Sequence, residues 1–302
     1  MSGPGFRSTG GEFGMDTTKG ISGRNLETDR NGFERLGTIY PPHSNVAIEQ
    51  VTIANVQCYW LVPEKIEGEE VAVYLHGGGF IYGSMKSHGA LVSHIAYSIG
   101  RRVLFLEYSL APENPFPKAP GETLAVLEAL QKADTGFRFG LLGDSAGGNL
   151  VFSVSLKLKA FRRKPSLYHI AISPWVNLEA IYPSYLANQK LDPVLTKDFA
   201  EYAASLYIGS HSVKDPFVSP VYGDFAGLTP SLIMYGSREI LADDSVRLYE
   251  ALQKAGVKSE LFLSEGSLHV WPLVDIQSGS AQIALTRIRD FVDQNSTGKP
   301  SR

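Results

Sequence analysis

The sequence predicts an α/β fold in which a mostly parallel central sheet is covered by helices on both faces, and two observations carry this prediction. Short apolar runs of strand length recur along the chain, among them VAVYL at 71–75 and VLFLEY at 103–108. Segments with helical spacing alternate with these runs from about residue 48 onward. Strands that alternate with helices of this length pair in parallel, because each helical crossover returns the chain to where the previous strand began.

The predicted elements follow in a regular order. IEQVTIA and VQCYWLV form a hairpin that turns at Asn55. Further strands are predicted at VAVYLH, RVLFLEY, FGLLG, YHIAIS, SLIMYG and SELFLS. Helices are predicted at KSHGALVSHIAYSIG, PGETLAVLEALQKA, AGGNLVFSVSLKLKA, TKDFAEYAASLYIG, ADDSVRLYEALQKAG and AQIALTRIRDFVDQ. Ligands of such a sheet bind beyond the carboxyl ends of its strands, so unusual residues at those ends are the candidates for function.

Two segments interrupt the alternation and are predicted to form a small cap over this edge of the sheet. Residues 16–45 are polar and contain Pro41-Pro42, and residues 177–222 are rich in Tyr, Asp and Pro. Ordinary surface excursions are the alternative. Residues 1–14 are interpreted as a vector-derived leader or a short disordered tail, and 15–302 as a single domain.

The composition excludes several classes of protein. A net charge of −3 leaves no basic surface of the kind that binds nucleic acid. No apolar run approaches the roughly 20 residues that a membrane-spanning helix requires. The one cysteine, Cys58, lies in a strand-like context and has no partner for an intrachain disulfide or a metal cluster. Because the polar, glycine-rich start does not resemble a secretory signal, we expect a cytoplasmic protein.

Ser145 is the candidate nucleophile. It lies in GDSAG at 143–147, a G-x-S-x-G pentapeptide with a predicted strand before it and a predicted helix after it. This arrangement is typical of a nucleophile elbow, in which the flanking glycines relieve crowding and the serine Oγ is exposed. By itself the pentapeptide is equally compatible with a plain strand-to-helix turn whose serine caps the helix.

A serine hydroxyl needs a base, and the base needs an acceptor on its other ring nitrogen. Of the seven histidines, His269 follows the last predicted strand, where a loop can return a side chain to the strand ends. Glu239 comes immediately after the preceding strand and is the better candidate acid, whereas Asp243 and Asp244 are interpreted as solvated charges at a helix N-terminus. The chain order of Ser145, Glu239 and His269 is the order expected of an α/β hydrolase.

Backbone N–H groups near Ser145 are candidates for stabilising an oxyanion. Attack on an ester carbonyl places negative charge on its oxygen, and donors aimed at that oxygen lower the barrier. Ala146, directly after the nucleophile, is predicted to supply one donor. Gly77-Gly78-Gly79, at the end of a predicted strand, supplies others without a Cβ that would block a substrate. The phosphate-binding patterns G-x-x-x-x-G-K-[ST] and G-x-G-x-x-G before a helix do not occur.

Three motifs now stand in order, HGGGF, EYSLAPENPFP and GDSAGGNL. With them, the chain from about residue 45 onward resembles the hormone-sensitive-lipase family of α/β-hydrolase carboxylesterases. The resemblance implies an α/β-hydrolase fold with a small cap, no metal or other cofactor, and often a homodimer formed through the last strand or helix. It also implies short- to medium-chain acyl esters as substrates.

The resemblance also implies roles for individual residues. Ser145 would be the nucleophile and His269 the base, while His76 and residues 108–117 would support the site. The oxyanion donors would be Gly78, Gly79 and Ala146. The acid in this family is usually an aspartate in a D-P-L stretch, and Glu239-Ile240-Leu241 stands in its place. This departure keeps Asp243 as an alternative acid.

The sequence therefore predicts a serine carboxylesterase that acts on a small-molecule ester, with activity that rises through roughly pH 6–7 as His269 becomes neutral. An amide or formamide hydrolase resembling arylformamidase is one alternative, because the same triad would serve. A non-catalytic receptor for a small ligand is another, and His269 argues against it because such receptors lack the histidine.

Four aromatic residues are candidates for the substrate pocket. They are Phe80, Tyr82, Tyr185 and Phe217. The alternative is that they belong to the apolar core of the cap, which is the commoner location for aromatic side chains.

Overall fold

A computed structural model describes residues 25–296, in which eight strands form one mixed sheet. The strands are β1 (Val46–Ile53), β2 (Val56–Pro63), β3 (Val71–Leu75), β4 (Val103–Leu106), β5 (Phe139–Asp144), β6 (His169–Ile172), β7 (Ser231–Gly236) and β8 (Ser259–Ser264). Their order across the sheet is β1-β2-β4-β3-β5-β6-β7-β8. The hairpin strand β2 pairs antiparallel with β1 and β4, and the other neighbours pair in parallel. The predicted fold class is confirmed.

The helices occupy the crossovers between these strands. They are α1 (Leu26–Phe33), α2 (Met85–Ile99), α3 (Lys118–Ala133), α4 (Ala146–Ala160), α5 (Ser184–Ala187), α6 (Lys197–Ile208), α7 (Ala242–Lys254), α8 (Trp271–Val274) and α9 (Gly279–Asn295), with 3-10 turns at Glu34–Thr38 and Pro220–Tyr222. All six predicted helices are present. Gly100 ends α2 in the left-handed conformation, with φ of 61°, which glycine commonly adopts at the end of a helix.

Three helices are not predicted from the sequence, namely α1, α5 and α8. Two of them span only four residues, too short for an apolar period to be visible. Helix α1 is mostly polar and is stabilised at its start by Asn25, whose side chain accepts a hydrogen bond from the N–H of Thr28. The predicted leader and residues 16–24 of the first cap segment lie outside the described residues, and the single domain stays a prediction.

The core lies on both faces of the sheet. Alternate residues of β3 belong to different apolar clusters, since side chains of a strand point to opposite faces. Val73 and Leu75 belong to the cluster that includes buried residues of α3, α4 and α7. Ala72 and Tyr74 belong to the cluster that includes buried residues of α2 and α9. Helices therefore cover both faces of the sheet, and the parallel pairing among β3 to β8 leaves the carboxyl ends of these strands together at one edge.

Gly147 allows helix α4 to begin close to strand β3. A Cβ added to Gly147 would lie 1.9 Å from the carbonyl oxygen of Leu75 and 2.6 Å from that of His76. Both obstacles are backbone atoms, which cannot move aside as a flexible side chain would. The approach of α4 to the end of β3 therefore requires glycine at this position.

We expect Gly147→Ala to lower the free energy of unfolding by about 1–3 kcal/mol, the usual range for overpacking a filled interior. Gly121→Ala is the matched control, because Gly121 also lies in the first turns of a helix and an added Cβ there meets nothing within 4 Å. The control should be neutral or slightly stabilising, since alanine favours helix. Urea unfolding of both variants measures the difference, and equal midpoints would contradict the prediction.

Candidate active site

Ser145 occupies a sharp turn between β5 and α4. Its backbone has φ of 52° and ψ of −119°, a conformation that a residue with a side chain rarely adopts. Hydrogen bonds hold it there: the Ser145 N–H donates to Ile172 O at 2.9 Å, and the Ser145 carbonyl accepts from the Trp175 N–H at 3.1 Å. The strain places the Oγ at the end of the strand, as expected of a nucleophile elbow.

The structure brings the three predicted residues Ser145, His269 and Glu239 together. His269 Nε2 lies 3.0 Å from Ser145 Oγ, and His269 Nδ1 lies 3.2 Å from Glu239 Oε2. A carboxylate only accepts, so Nδ1 carries the proton and donates to Glu239, while Nε2 accepts the hydrogen bond from the Ser145 hydroxyl. All three residues are buried, with Ser145 exposed by 6%.

The Glu239 carboxylate sets the electrostatics of His269. Burial alone lowers the pKa of an imidazole, but the hydrogen bond and the negative charge of Glu239 outweigh it and raise the pKa of His269 above its ordinary 6.5. The pKa of Glu239 is also raised, because its complete burial outweighs the hydrogen bond from His269. The pair is therefore arranged to stabilise a positive charge on the imidazole.

The two neighbouring aspartates contact other groups. Asp243 Oδ2 accepts from the N–H of Ser184 at 2.9 Å. Asp244 Oδ1 accepts from the N–H groups of Val176 and Asn177 at 3.0 and 2.8 Å. The prediction that Asp244 is a solvated charge is wrong: the residue is fully buried, and burial raises its pKa to about 8. Tertiary contacts, rather than the helix N-terminus alone, decide its environment.

The glycine loop after β3 presents two N–H groups beside the elbow. The N–H of Gly77 donates to Asp144 Oδ1 at 3.0 Å. In contrast, the N–H groups of Gly78 and Gly79 have no acceptor within residues 25–296. Both residues have positive φ, of 108° and 62°, which glycine adopts without strain. The N–H of Ala146, first residue of α4, lacks an acceptor within the helix.

Asp144 joins the glycine loop to the elbow, and it is not among the site residues predicted from the sequence. Its buried carboxylate accepts from Tyr74 Oη at 2.7 Å and from the Gly77 N–H, and its Oδ2 lies 3.5 Å from His88 Nε2. Burial opposes the charge, but His88 and Tyr74 outweigh it and hold the pKa of Asp144 below its ordinary value. The sequence feature that could have identified Asp144 is an acidic residue at the end of an otherwise apolar strand.

His76 supports the glycine loop. Its ring stacks on that of Tyr108 with centroids 4.2 Å apart, and Tyr108 Oη donates to the His76 carbonyl at 2.7 Å. Burial lowers the pKa of His76 to about 3, so the ring stays neutral.

Three of the four predicted pocket aromatics lie in the apolar core. Phe80 stacks on Tyr207 of α6 with centroids 3.6 Å apart. Tyr82 packs between the rings of Phe33 and Phe199, and Tyr185 is fully buried. Phe217 is half-buried, and the ammonium of Lys157 lies 4.2 Å from its ring centroid. Their role in substrate binding stays a prediction, and these contacts fit the alternative of core aromatics.

Parts of both predicted cap segments contact the glycine loop. Arg30 of α1 donates to the carbonyls of Ile81 and Ala111 at 2.8 and 2.9 Å. A Cβ on Gly79 would lie 3.3 Å from the Cβ of Ala203 in α6. The second segment therefore lies beside Gly79, one of the candidate oxyanion donors, and the first contacts the chain two residues further on, at Ile81.

Within the described range, no helix is both long and apolar enough to cross a membrane. The same residues include no group of three or more His, Cys, Asp or Glu side chains that could hold a metal ion.

The sheet topology and the Ser145–His269–Glu239 arrangement at its carboxyl edge define an α/β hydrolase. Residues 72–273 match a family model described as the alpha/beta hydrolase fold. More specifically, the chain belongs to the hormone-sensitive-lipase family of α/β-hydrolase carboxylesterases.

Similar proteins carry the names of esterases and of an acetyl-hydrolase. An esterase of Acinetobacter venetianus is 32% identical over 267 residues, which cover 85% of this chain and 86% of that protein. An acetyl-hydrolase of Streptomyces hygroscopicus is 32% identical over 253 residues, or 83% and 82% of the two chains. A crystal structure of an esterase from the bacterial hormone-sensitive lipase family is 32% identical, with a TM-score of 0.87 over 91% of this chain and 93% of that one.

We expect Glu239→Gln to lower kcat for an activated ester by about 100-fold or more, because the neutral amide no longer stabilises the imidazolium. Asp243→Asn is the matched control: it removes a charge in the same segment, and the side-chain carbonyl of the introduced asparagine can still accept from the Ser184 N–H. Its kcat should stay close to that of the wild type. A larger loss in Asp243→Asn than in Glu239→Gln would identify Asp243 as the acid.

Proposed function

We propose that the chain is a serine carboxylesterase that hydrolyses short- to medium-chain acyl esters through an acyl-enzyme on Ser145. The observation that carries this proposal is the position of His269 between the Ser145 hydroxyl, at 3.0 Å, and the Glu239 carboxylate, at 3.2 Å. An imidazole held in this way can remove the hydroxyl proton as the oxygen attacks.

In the acylation step, Ser145 Oγ attacks the ester carbonyl carbon and its proton passes to His269 Nε2. Glu239 accepts the Nδ1–H hydrogen bond and balances the charge of the imidazolium. The N–H groups of Gly78, Gly79 and Ala146 are the proposed donors to the oxyanion. The C–O bond to the alcohol then breaks, and His269 returns the proton to the leaving oxygen.

Deacylation repeats the sequence with water. His269 removes a proton from a water molecule, which attacks the acyl carbon and forms a second oxyanion at the same donors. The bond to Ser145 Oγ breaks, the oxygen regains its proton from His269, and the carboxylic acid leaves.

Relatives named as esterase and carboxylesterase support ester substrates over the amide and formamide alternative. The alternative of a non-catalytic receptor is not supported, because the nucleophile, the base and a carboxylate are all present and in contact.

Assembly and location are also part of the proposal. Strand β8 lies at an edge of the sheet, and Leu263 on it is 44% exposed. An exposed strand edge can pair with a second copy, which supports a homodimer through β8. A cytoplasmic location is supported by a chain with a single cysteine, Cys58, and therefore without an intrachain disulfide.

Hydrolysis of p-nitrophenyl acetate, butyrate, octanoate and palmitate tests the proposed reaction. We expect turnover of the shorter esters, and Ser145→Ala should reduce it to less than about a thousandth, because the nucleophile is removed. N-acetyl- and N-formyl-p-nitroaniline, run in parallel, test the amide alternative. Ester turnover that persists in Ser145→Ala, or a preference for the anilides, would contradict the proposal.

The pH dependence of kcat/KM tests His269 as the base. A protonated imidazole cannot accept the Ser145 proton, so activity is lost below the pKa of His269 and gained above it. Because that pKa is raised, the midpoint of the rise is expected above pH 6.5, toward the upper end of the range predicted from the sequence. An activity that is flat from pH 5 to pH 8 would argue against His269.

A further inference from the structure

The backbone of Glu239 is held by a loop in the second predicted cap segment. We propose that Asn188 and Asp192 in this loop are positioning residues that hold Glu239 against His269. The inference rests on the proposed function, since it assigns a catalytic consequence to the placement of the acid.

Asn188 and Asp192 bind the two sides of a single peptide unit. Asn188 Nδ2 donates to the carbonyl oxygen of Glu239 at 2.8 Å. Asp192 Oδ2 accepts from the N–H of Ile240, the next residue, at 2.9 Å. Because this peptide plane begins at the Cα of Glu239, holding both of its polar groups restrains ψ of Glu239 and with it the direction in which the side chain leaves the backbone.

The two side chains have the hydrogen-bonding chemistry that this position requires. The Asn188 amide has two donor hydrogens, and it also donates to Ser237 O at 3.3 Å. Asp192 is 4% exposed, and its second oxygen accepts from the N–H groups of Val194 and Leu195 at 2.8 and 3.0 Å. A carboxylate can accept on both oxygens, whereas an amide in its place would face one set of N–H donors with its own NH₂ group.

The start of the loop also binds the segment that follows Glu239. Ser184 Oγ donates to the carbonyl of Ile240 at 2.6 Å, and the Ser184 N–H donates to Asp243 Oδ2. The loop that starts at α5 therefore contacts the acid segment before, at and after Glu239. Movement of the loop would move Glu239 with it.

The buried charge of Asp192 acts on the same pair. It raises the pKa of Glu239 and contributes to the raised pKa of His269, to which Glu239 and Asp144 also contribute. Asp192 therefore acts through both its charge and its hydrogen bonds, whereas neutral Asn188 acts through hydrogen bonds alone. Asn188 is the cleaner position at which to test positioning.

The test is a double-mutant cycle between Asn188→Leu and Glu239→Gln, measured as kcat and KM for p-nitrophenyl butyrate. Leucine has nearly the shape of asparagine but donates no hydrogen bond. We expect Asn188→Leu to lower kcat about 10-fold in the wild-type background while KM changes less than about twofold. In the Glu239→Gln background, the same substitution should change kcat by less than about twofold, because the group that it positions is already disabled.

Gln189→Leu is the matched control, since it makes a similar chemical change, amide to aliphatic, at the next position along the loop. It should retain the wild-type kcat. Asp192→Asn, which is isosteric, provides a second cycle with Glu239→Gln if Asn188→Leu unfolds at the assay temperature, as checked by circular dichroism. Its loss of kcat should be larger in the wild-type background than in the Glu239→Gln background, but part of the loss should remain in both, because the charge of Asp192 also acts on His269 directly. Equal losses in the two backgrounds would overturn the positioning role.

Each possible result of these measurements either supports or overturns the positioning role. Equal losses of kcat in the two backgrounds, or equal kcat for Asn188→Leu and Gln189→Leu, would overturn the positioning role while leaving the esterase proposal intact. A wild type without Ser145-dependent turnover would overturn the esterase proposal and this inference with it. A loss confined to the background that contains Glu239 supports the inference.

Discussion

The hydrogen bond between His269 Nε2 and Ser145 Oγ joins residues 124 positions apart in the sequence, and the architecture has to hold them 3.0 Å from each other. The strands that precede them, β8 and β5, are not neighbours, since β7 and β6 lie between them. The loop after β8 must therefore reach back across two strands. Ser173, directly after β6, provides the support: its hydroxyl accepts from the N–H of Val270, next to His269, at 3.0 Å.

The backbone is strained at three residues of this region. Ser145, Ser173 and Val270 all have positive φ, of 52°, 50° and 46°. Such values are unfavourable for residues with a side chain, and for a β-branched valine most of all. They persist because the surrounding hydrogen bonds fix them, as in the donation from the Ser173 N–H to Met234 O.

The fold and the proximity of Ser145 and His269 could be predicted because their signals are local. Apolar runs of strand length and helical spacing report the sheet and its helices, and the glycines around Ser145 report the turn that the residue occupies. The preference for Glu239 over Asp243 rests on its position next to the strand end, and the structure has Glu239 in contact with His269. The carboxyl ends of parallel strands meet at one edge of the sheet. Residues that directly follow different strands are therefore expected to lie close together.

The contacts of the cap segments could not be predicted in the same way. Asn188 and Asp192 lie in the polar stretch ANQKLDP, which has no period to assign its side chains to a face. Their partners are backbone groups about 50 positions away, and a peptide N–H or carbonyl leaves no trace in the sequence. The aromatic residues predicted for the pocket could not be assigned to it for a related reason. The residue type alone does not distinguish an aromatic side chain in the core from one that faces a ligand.

Glu239-Ile240-Leu241 stands where the resemblance to the family implies D-P-L, and this difference gives the contacts their significance. Proline fixes its own φ and has no N–H, so a proline after the acid restrains the backbone without a partner. Ile240 restrains nothing by itself, but it supplies an N–H, and Asp192 accepts it at 2.9 Å. In this chain, a hydrogen bond to the loop restrains the backbone at the point where a proline ring would do so in D-P-L, and glutamate has one more methylene than aspartate between the backbone and the carboxylate. The longer acid, with one more rotatable bond, therefore depends on the loop for its direction, and the geometry at His269 is coupled to the second predicted cap segment.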